Sequence, residues 1–217
     1  MNIRWQIAQS AEIRWWQKYL RHKPVSDYLD WKINYWKKLL AQLQLPEQFS
    51  SDMTILDAGC GPAGIFIALS PAQITASDPL LEDYEKRLAH FDRNKYPNVK
   101  FRTERLEDLN DTSAYDYVFC LNAINHVADL RLCLEHLTKA AKPGGKLILS
   151  IDAHNYKIFK ALFRLLPGDI LHPHQYDLAE YRQLLKGAGW EITQEQCLKK
   201  EFFFDYWIFV AHKPVTF

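Results

Sequence analysis

A glycine-rich stretch directly after an apolar, β-branched run constrains the fold more than any other feature of this chain. The stretch TILDAGCGPAG covers residues 54–64, with glycines at positions 59, 61 and 64. Glycine is needed where the backbone turns sharply with a positive φ and comes close to a ligand. The G-x-G-x-x-G spacing therefore predicts a strand followed by a ligand-binding turn, but several kinds of nucleotide site share it.

Short apolar runs alternate with helical patterns from about residue 53 onward. The runs cover residues 53–59, 72–78, 98–104, 115–122 and 145–152. Between the last two runs, residues 129–142 have an apolar stripe at helical spacing, with Pro143-Gly144-Gly145 after it. Strands that alternate with helices in this way predict an α/β fold with a doubly wound, mostly parallel sheet.

The last third of the chain has a different pattern. Residues 177–189 read as a helix with a capping box from Asp177 to Glu180. Two strand-like runs follow, residues 190–200 and 201–213, with only a short connection between them. Such a connection is too short for a parallel crossover, so the two runs are expected to pair as an antiparallel hairpin.

Composition and charge exclude several classes of protein. The chain has 217 residues, 48% of them hydrophobic, and a net charge of +1, so a dedicated nucleic-acid binder is not expected. No apolar run approaches the roughly 18 residues of a membrane span, and the N-terminus lacks the pattern of a signal peptide. The four cysteines form no C-x-x-C pair, and no ligand cluster for a metal is evident. We expect a cytoplasmic protein without a bound metal; its oligomeric state is open.

Two acids narrow the choice of ligand. Asp78 ends the second strand, 21 positions after Asp57, where an acid can bind a ribose diol. Asp57 stands two positions before the first glycine. A carboxylate there would oppose a pyrophosphate but would favour a ligand that carries an ammonium group.

Five motifs in order resemble the class I S-adenosylmethionine-dependent methyltransferases. The segments are ILDAGCGPAG, ITASDPL, TERLEDL, YDYVFCLNAINHVAD and AAKPGGKLILS, and the similarity covers roughly residues 50–213. The C-terminal hairpin is similar to the reversed strand 7 of that family. The resemblance implies a Rossmann-like fold, the cofactor S-adenosyl-L-methionine, and methyl transfer to a small-molecule acceptor. Residues 1–48 lie outside it as a helical cap, and residues 49–217 form the methyltransferase domain.

The resemblance also implies the residues that contact the cofactor. They are Asp57, Gly59, Cys60, Gly61, Asp78, Pro79, Leu106, Glu107, Leu121 and Asn122. Several have alternative roles: Asp57 could hold the amides of the loop, and Asp78 could cap a helix that begins at Pro79. Asp108 competes with Glu107 for the adenine edge. Gly64 is expected to serve close packing, and Asn122 has the alternative role of a turn residue.

The acceptor side is less defined by sequence. Methyl transfer from a sulfonium is an in-line displacement that positioning and desolvation can accelerate. An oxygen acceptor of high pKa needs a base, and His126, after the fourth strand, is the candidate catalytic residue. The alternatives are His154, His172 and His174, and His126 could instead bond to local backbone.

The aromatic N-terminal helices have three interpretations. They could form a lid over the cofactor crevice, a cap packed on the domain, or an interfacial helix, since basic residues outnumber acids there. Trp15 and Trp16 point about 100° apart, which favours burial in the protein over a flat membrane face. Two other functions remain open at this stage: a nicotinamide-dependent oxidoreductase and a non-catalytic S-adenosylmethionine-binding module.

Overall fold

A computed structural model describes the backbone of residues 3–155, 176–202 and 204–215, with side chains described from residue 9 onward. The chain divides into two compact units, Met1–Arg105 and Leu106–Phe217. Each unit has its own helices and parallel strands.

The first unit contains the N-terminal helices and three parallel strands. Its elements are α1 (Ile3–Leu20), α2 (Val25–Gln42), β1 (Thr54–Ala58), β2 (Gln73–Ser77), α3 (Leu81–Arg87) and β3 (Val99–Arg102). The strand order is β3-β2-β1, and Asp57 pairs with Ala76 in the register of β1 with β2. Two short 3₁₀ turns, Gly61–Ala63 and Ile65–Ala68, follow β1.

The second unit contains one parallel strand pair and the antiparallel hairpin. Its elements are β4 (Tyr115–Cys120), α4 (Leu130–Ala140), β5 (Ala141–His154), α5 (Leu178–Gly187), β6 (Glu191–Lys199) and β7 (Phe204–His212). The order is β4-β5-β7-β6, with β4 parallel to β5 and β7 antiparallel to both of its neighbours. The predicted hairpin is therefore confirmed.

Local sequence signals account for the starts of α4 and α5. The Asp129 side chain accepts the Leu132 N–H at the start of α4 (3.0 Å). At α5 the capping box is complete: Asp177 accepts the Glu180 N–H and Glu180 accepts the Asp177 N–H. The prediction that α3 begins at Pro79 is wrong, because α3 begins two residues later, at Leu81.

The two N-terminal helices pack on the first unit by one face only. Their buried side chains include Ile13, Leu20, Tyr28, Trp36 and Leu40. The Trp15-Trp16 pair, whose divergence favours burial in the protein over a flat membrane face, is only partly turned inward. Neighbouring residues point about 100° apart on a helix, so only Trp16 turns inward, and Trp15 is 54% exposed. None of the described helices has the length and apolar character needed to cross a membrane.

Candidate functional site

The glycine loop, residues 59–64, is built by backbone conformation that β1 and β2 hold in place. Gly59 (φ +71°) and Gly61 (φ +58°) adopt the left-handed conformation that favours glycine. The N–H groups of Gly59 and Cys60 both donate to the Ser77 carbonyl, at 2.8 and 3.0 Å. The Gly61 N–H donates to Asp78 Oδ2 (2.9 Å). The first three amides of the loop are therefore engaged by the protein itself.

Gly64 has a different role from the other two glycines of the loop. Its φ is −66°, which any residue adopts. A Cβ at this position would lie 2.4 Å from Asp57 Oδ2 and 2.4 Å from the Cys60 carbonyl oxygen. Gly64 is thus required for close packing, in agreement with the sequence interpretation.

Asp78 places a buried carboxylate immediately after β2. Its Oδ1 accepts the Leu80 N–H (2.8 Å) and its Oδ2 accepts the Gly61 N–H. Burial, and next the charge of Glu12, raise the pKa of Asp78 to about 7. The carboxylate caps the turn that leads into α3, close to the capping role predicted from the sequence, and it also holds the glycine loop. Its ribose-binding role stays a prediction. Pro79 lies in that turn and is half-buried.

The inner face of α1 lies against this carboxylate and the loop. Glu12 Oε1 accepts the Tyr84 O–H (3.2 Å). The Trp16 ring packs edge-on to Tyr84, and its Cζ2 lies 3.8 Å from the position of a Cβ at Gly61. Helix α1 therefore brings an acid and an indole to the place where Gly61 and Asp78 meet.

Asp57 is buried beside the same loop, and the charge of the half-buried Lys32 acts on it. Asp57, at 2% exposure, accepts the Phe66 N–H at Oδ2 (3.0 Å). Burial raises its pKa to about 7, an effect that Lys32 partly offsets. Burial lowers the pKa of Lys32 to about 8, and its Nζ lies 4.3 Å from the Trp36 ring centroid. The thiol of Cys60 is also buried, which raises its pKa.

Among the described residues, the Lys32 ammonium has no hydrogen bond and no ion pair within 4 Å. Sequence reasoning missed this lysine, since it lies in a helix rich in lysine and aromatic residues and no motif marks it.

The second unit holds the remaining predicted contacts of the cofactor. Leu106 and Leu121 are buried. Glu107 Oε1 accepts the Ala128 N–H (2.7 Å). Asn122 has φ +56°, and its N–H donates to Ser150 Oγ (2.8 Å), so it does serve the turn after β4. Glu107 and Asn122 thus both take part in the local backbone structure of their unit.

The candidate bases lie near the carboxyl ends of β4 and β5. His126 is exposed at the end of a 3₁₀ turn, where its backbone N–H donates to the Ala123 carbonyl (3.0 Å). His154 is buried at the end of β5, 4.2 Å from the Phe204 ring by centroids. His172 and His174 lie outside the described residues.

A hydrogen-bonded chain of three side chains in the second unit escaped sequence analysis. The Tyr181 O–H donates to Asn125 Oδ1 (2.9 Å), and Asn125 Nδ2 donates to Asp152 Oδ2 (3.0 Å). Tyr181 and Asn125 are buried, and Asp152 is half-buried near the end of β5. The available signal was an acid at the end of an apolar strand, the same signal that identifies Asp78.

The chemistry of the loop does not fit a pyrophosphate. The N–H groups that would cradle phosphate oxygens already donate hydrogen bonds to Ser77 and Asp78, and Pro62 has no N–H. Two carboxyl groups, Asp57 and Asp78, adjoin the loop, which suits a ligand with hydroxyl and ammonium groups. Within the described ranges, no group of three or more His, Cys, Asp and Glu is placed to hold a metal ion.

Comparison with known proteins identifies the family. A family model described as "Methyltransferase domain" matches residues 28–195. The chain is 28% identical, over 77% of its length and 70% of the relative, to a ubiquinone biosynthesis O-methyltransferase from Rhodopseudomonas palustris. It is 26% identical to a protein of the same name from Rickettsia bellii, over 73% of this chain and 70% of that one.

Solved structures show the same fold. A putative methyltransferase from Bacillus halodurans superimposes with a TM-score of 0.67, at 16% identity, over 82% of this chain and 98% of that one. A magnesium protoporphyrin IX methyltransferase from Synechocystis, solved with bound S-adenosylhomocysteine, has a TM-score of 0.55 at 23% identity, over 86% and 84% of the two chains. The Rossmann-like methyltransferase fold predicted from the sequence is confirmed, and the oxidoreductase alternative is set aside. The chain belongs to the methyltransferase domain family and is a class I S-adenosylmethionine-dependent methyltransferase.

Proposed function

We propose that this enzyme transfers the methyl group of S-adenosylmethionine to a hydroxyl oxygen of a small molecule. The observation that carries the proposal is the loop geometry, in which the first three amides are engaged by Ser77 and Asp78 and two carboxyl groups adjoin them. The curated relatives named O-methyltransferases support an oxygen acceptor.

The first unit supplies groups of suitable charge for each part of the cofactor. The Asp78 carboxylate would accept from the ribose hydroxyls. Asp57 would favour the ammonium of the methionine part, and the Lys32 ammonium would favour its carboxylate. Gly59, Cys60 and Gly61 would contact the methionine part by backbone, next to Pro79. When bound, the cofactor supplies a methyl group on a sulfonium, an electrophile that needs no metal activation.

The contacts assigned to the second unit stay predictions. Leu106 and Glu107 are assigned to the adenine, and Leu121 and Asn122 to the methionine chain, by the family resemblance. The division into a cap of residues 1–48 and a domain of residues 49–217 also stays a prediction. The lid interpretation of that cap is supported by Glu12 and Trp16, which lie against Tyr84 and the glycine loop.

Two groups are proposed to take the proton of the acceptor hydroxyl. His126 is the residue predicted from sequence. Asp152 is added on structural grounds, because Asn125 and Tyr181 fix the orientation of its carboxylate. In the reaction the acceptor oxygen forms a bond to the methyl carbon, the sulfur–carbon bond breaks, and the hydroxyl proton passes to one of these groups.

The proposal is tested by titration calorimetry with S-adenosylhomocysteine, followed by transfer of labelled methyl to a panel of phenols and catechols and, in parallel, of amine, thiol and carbon acceptors. We expect binding, and transfer that gives methyl ethers. Binding with transfer only to nitrogen, carbon or sulfur acceptors would retain the cofactor and reject the hydroxyl acceptor. No binding in the presence or absence of acceptors would reject the proposal as a whole.

The base is identified with Asp152→Asn and His126→Gln, two substitutions that preserve side-chain size. The variant that removes the base should lower kcat and change the pH profile of kcat/KM, with an unchanged affinity for S-adenosylhomocysteine. The other variant serves as its control. If neither changes the pH profile, the reaction needs no base from these two residues.

A further inference from the structure

The outer face of the N-terminal helices exposes a group of aromatic side chains. Trp15 is 54% exposed, Tyr19 36% and Trp31 52%. We call these three residues the aromatic patch. Only two other large hydrophobic side chains among the described residues reach this exposure, Phe202 and Val215, and both are far away in sequence. The outward-facing aromatics are thus concentrated on α1 and α2.

Ring contacts make the patch continuous. Trp15 and Tyr19, four residues apart on α1, stack at 4.9 Å with an interplanar angle of 6°. The ring centroids of Tyr19 and the buried Tyr28 are 6.2 Å apart, and those of Tyr28 and Trp31 are 5.9 Å apart. A set of rings that support one another and still face the solvent presents a preformed apolar surface.

Basic residues accompany the patch. Arg14 and Lys18 are exposed on α1, and Lys18 lies about 60° from Trp15 around the helix. The turn between the helices carries Arg21 and Lys23, and the Lys23 Nζ lies 4.5 Å from the Tyr19 ring centroid. One ammonium group, that of Lys23, therefore lies against a ring of the patch, and the other cations are exposed on α1 and on the turn that follows it.

The charge of the chain is divided unevenly. Residues 1–43 contain eight Lys and Arg against three Asp and Glu, a net charge of +5. The whole chain has a net charge of +1, so the remaining residues carry −4. A segment that is both basic and aromatic has the composition of an interfacial anchor, because indole and phenol rings favour the boundary between lipid and water, and cations favour anionic headgroups.

We propose that the aromatic patch and its surrounding cations dock this enzyme on an anionic membrane surface. A second copy of the chain is a poorer occupant, since two segments of charge +5 would repel each other. The adjoining face of α1, about 60–100° around the helix from Trp15, holds Glu12 and Trp16 next to the glycine loop. Docking would therefore bring the loop within about one helix diameter, roughly 10 Å, of the lipid surface. The proposal does not depend on which acceptor is methylated.

The test is co-sedimentation of the full chain with vesicles at about 0.1 M salt. One set contains phosphatidylcholine alone and the other contains about 30% phosphatidylserine. We expect the chain to sediment with the anionic vesicles and to bind the neutral ones at least about tenfold more weakly. Added salt should weaken the binding to the anionic vesicles. No sedimentation with either set would overturn the proposal.

Two groups of variants separate the two parts of the surface. The triple variant W15S/Y19S/W31S should lose at least about tenfold in vesicle affinity, and R14E/K18E should lose the preference for anionic lipid. Phe202→Ser and Lys100→Glu are matched controls, an exposed aromatic and an exposed cation elsewhere, and should bind as the wild type does. If the patch variants also bind like the wild type, the proposal is wrong.

Two further measurements make these outcomes unambiguous. If the triple variant fails to fold, R14E/K18E carries the test alone, since its two side chains are exposed and charged. Sedimentation equilibrium gives the oligomeric state of the wild type and of the triple variant. The patch is a self-association surface, and the proposal fails, if the wild type is a dimer that does not bind vesicles and the triple variant is a monomer. Binding of S-adenosylhomocysteine by each variant distinguishes failed docking from a failed cofactor site.

Discussion

At the scale of single residues, Asp78 has the largest number of roles in the candidate site. Its carboxylate holds the Gly61 and Leu80 amides and is predicted to bind the ribose. Asp78→Ala should weaken the binding of S-adenosylhomocysteine at least about tenfold, or about 1.4 kcal/mol, measured by titration calorimetry. Asp83→Ala is the control, because it removes an acid from the surface of α3, where Asp83 pairs with Arg87 at 3.0 Å. Equal affinities for the two variants would contradict the assigned role.

The same residue predicts how stability depends on pH. The pKa of Asp78 is raised from 3.8 to about 7 in the folded chain, so between these values the folded state binds more protons than the unfolded state. The stabilisation of the folded state that comes from the raised pKa of Asp78 is therefore present below about pH 4. It is lost as the pH rises through about 7. In the ligand-free protein, this costs up to about 4 kcal/mol of unfolding free energy.

Asp78→Asn removes this titration and tests it. We expect the unfolding free energy of the variant, relative to the wild type, to rise between pH 4.5 and pH 7.5, as measured by urea denaturation at several pH values. The amide replaces one acceptor oxygen with a donor, so the variant loses one hydrogen bond at every pH. Parallel pH curves for the two proteins would show that the carboxyl is already ionised at low pH.

Site residues that lie in or beside a sequence motif could be predicted. Site residues that a distant part of the chain brings to the same place could not. Asp57 and Asp78 are marked by their spacing from the glycines and by the ends of apolar strands. The charge of Lys32 acts on Asp57 only because α2 packs beside the glycine loop, and nothing in its own segment indicates this. Asn125 and Tyr181 are 56 positions apart, and only tertiary packing places them on either side of one hydrogen bond.

At the scale of elements, the glycine loop contains two kinds of glycine that respond differently to substitution. Gly64→Ala puts a Cβ 2.4 Å from a carboxylate oxygen and a backbone oxygen, so β1 and the loop must shift. Gly61→Ala meets only a side chain at 3.8 Å, and its cost is that of a positive φ, about 1 kcal/mol. Gly64→Ala should therefore be the more destabilising by thermal unfolding. The reverse order would mean that backbone conformation, and not packing, limits the loop.

Element boundaries show where local patterns fail. Four of the five apolar runs contain the whole of an observed strand, and the fifth lies inside β5, because continuous burial needs continuous apolar sequence. The sequence predicts an earlier start for α3, since Pro79 is well suited to a first helical turn. In the structure the Asp78 carboxylate instead accepts the Leu80 N–H, and this turn delays the helix to Leu81. The extended strand β5 begins at Ala141, directly after α4, so Pro143 and two glycines lie inside the strand instead of before it.

At the scale of the whole molecule, the order of motifs carried more information than any single one. The glycine spacing and the acid after β2 are compatible with dinucleotide sites, but Asp57 before the glycines and the antiparallel β6–β7 hairpin argue against them. These are long, strongly patterned features, which is why the fold could be predicted. The exposed aromatic patch could not, because α1 and α2 are aromatic on several faces and the sequence does not indicate which face packs.

The choice of cofactor is a property of the whole chain and can be measured through its stability. A ligand that binds only the folded state raises the unfolding free energy by RT ln(1 + [L]/Kd), about 2.7 kcal/mol at a hundredfold excess over Kd. S-adenosylhomocysteine should therefore raise the melting temperature by several degrees, and the shift should grow with the logarithm of its concentration.

NADH at the same concentrations should give no shift, because the first three loop amides are engaged by Ser77 and Asp78 and are not free for its pyrophosphate. Asp78→Ala should move the S-adenosylhomocysteine curve to about tenfold higher concentration, and Asp83→Ala should leave it in place. A shift with NADH that Asp78→Ala abolishes would assign the loop to a dinucleotide instead.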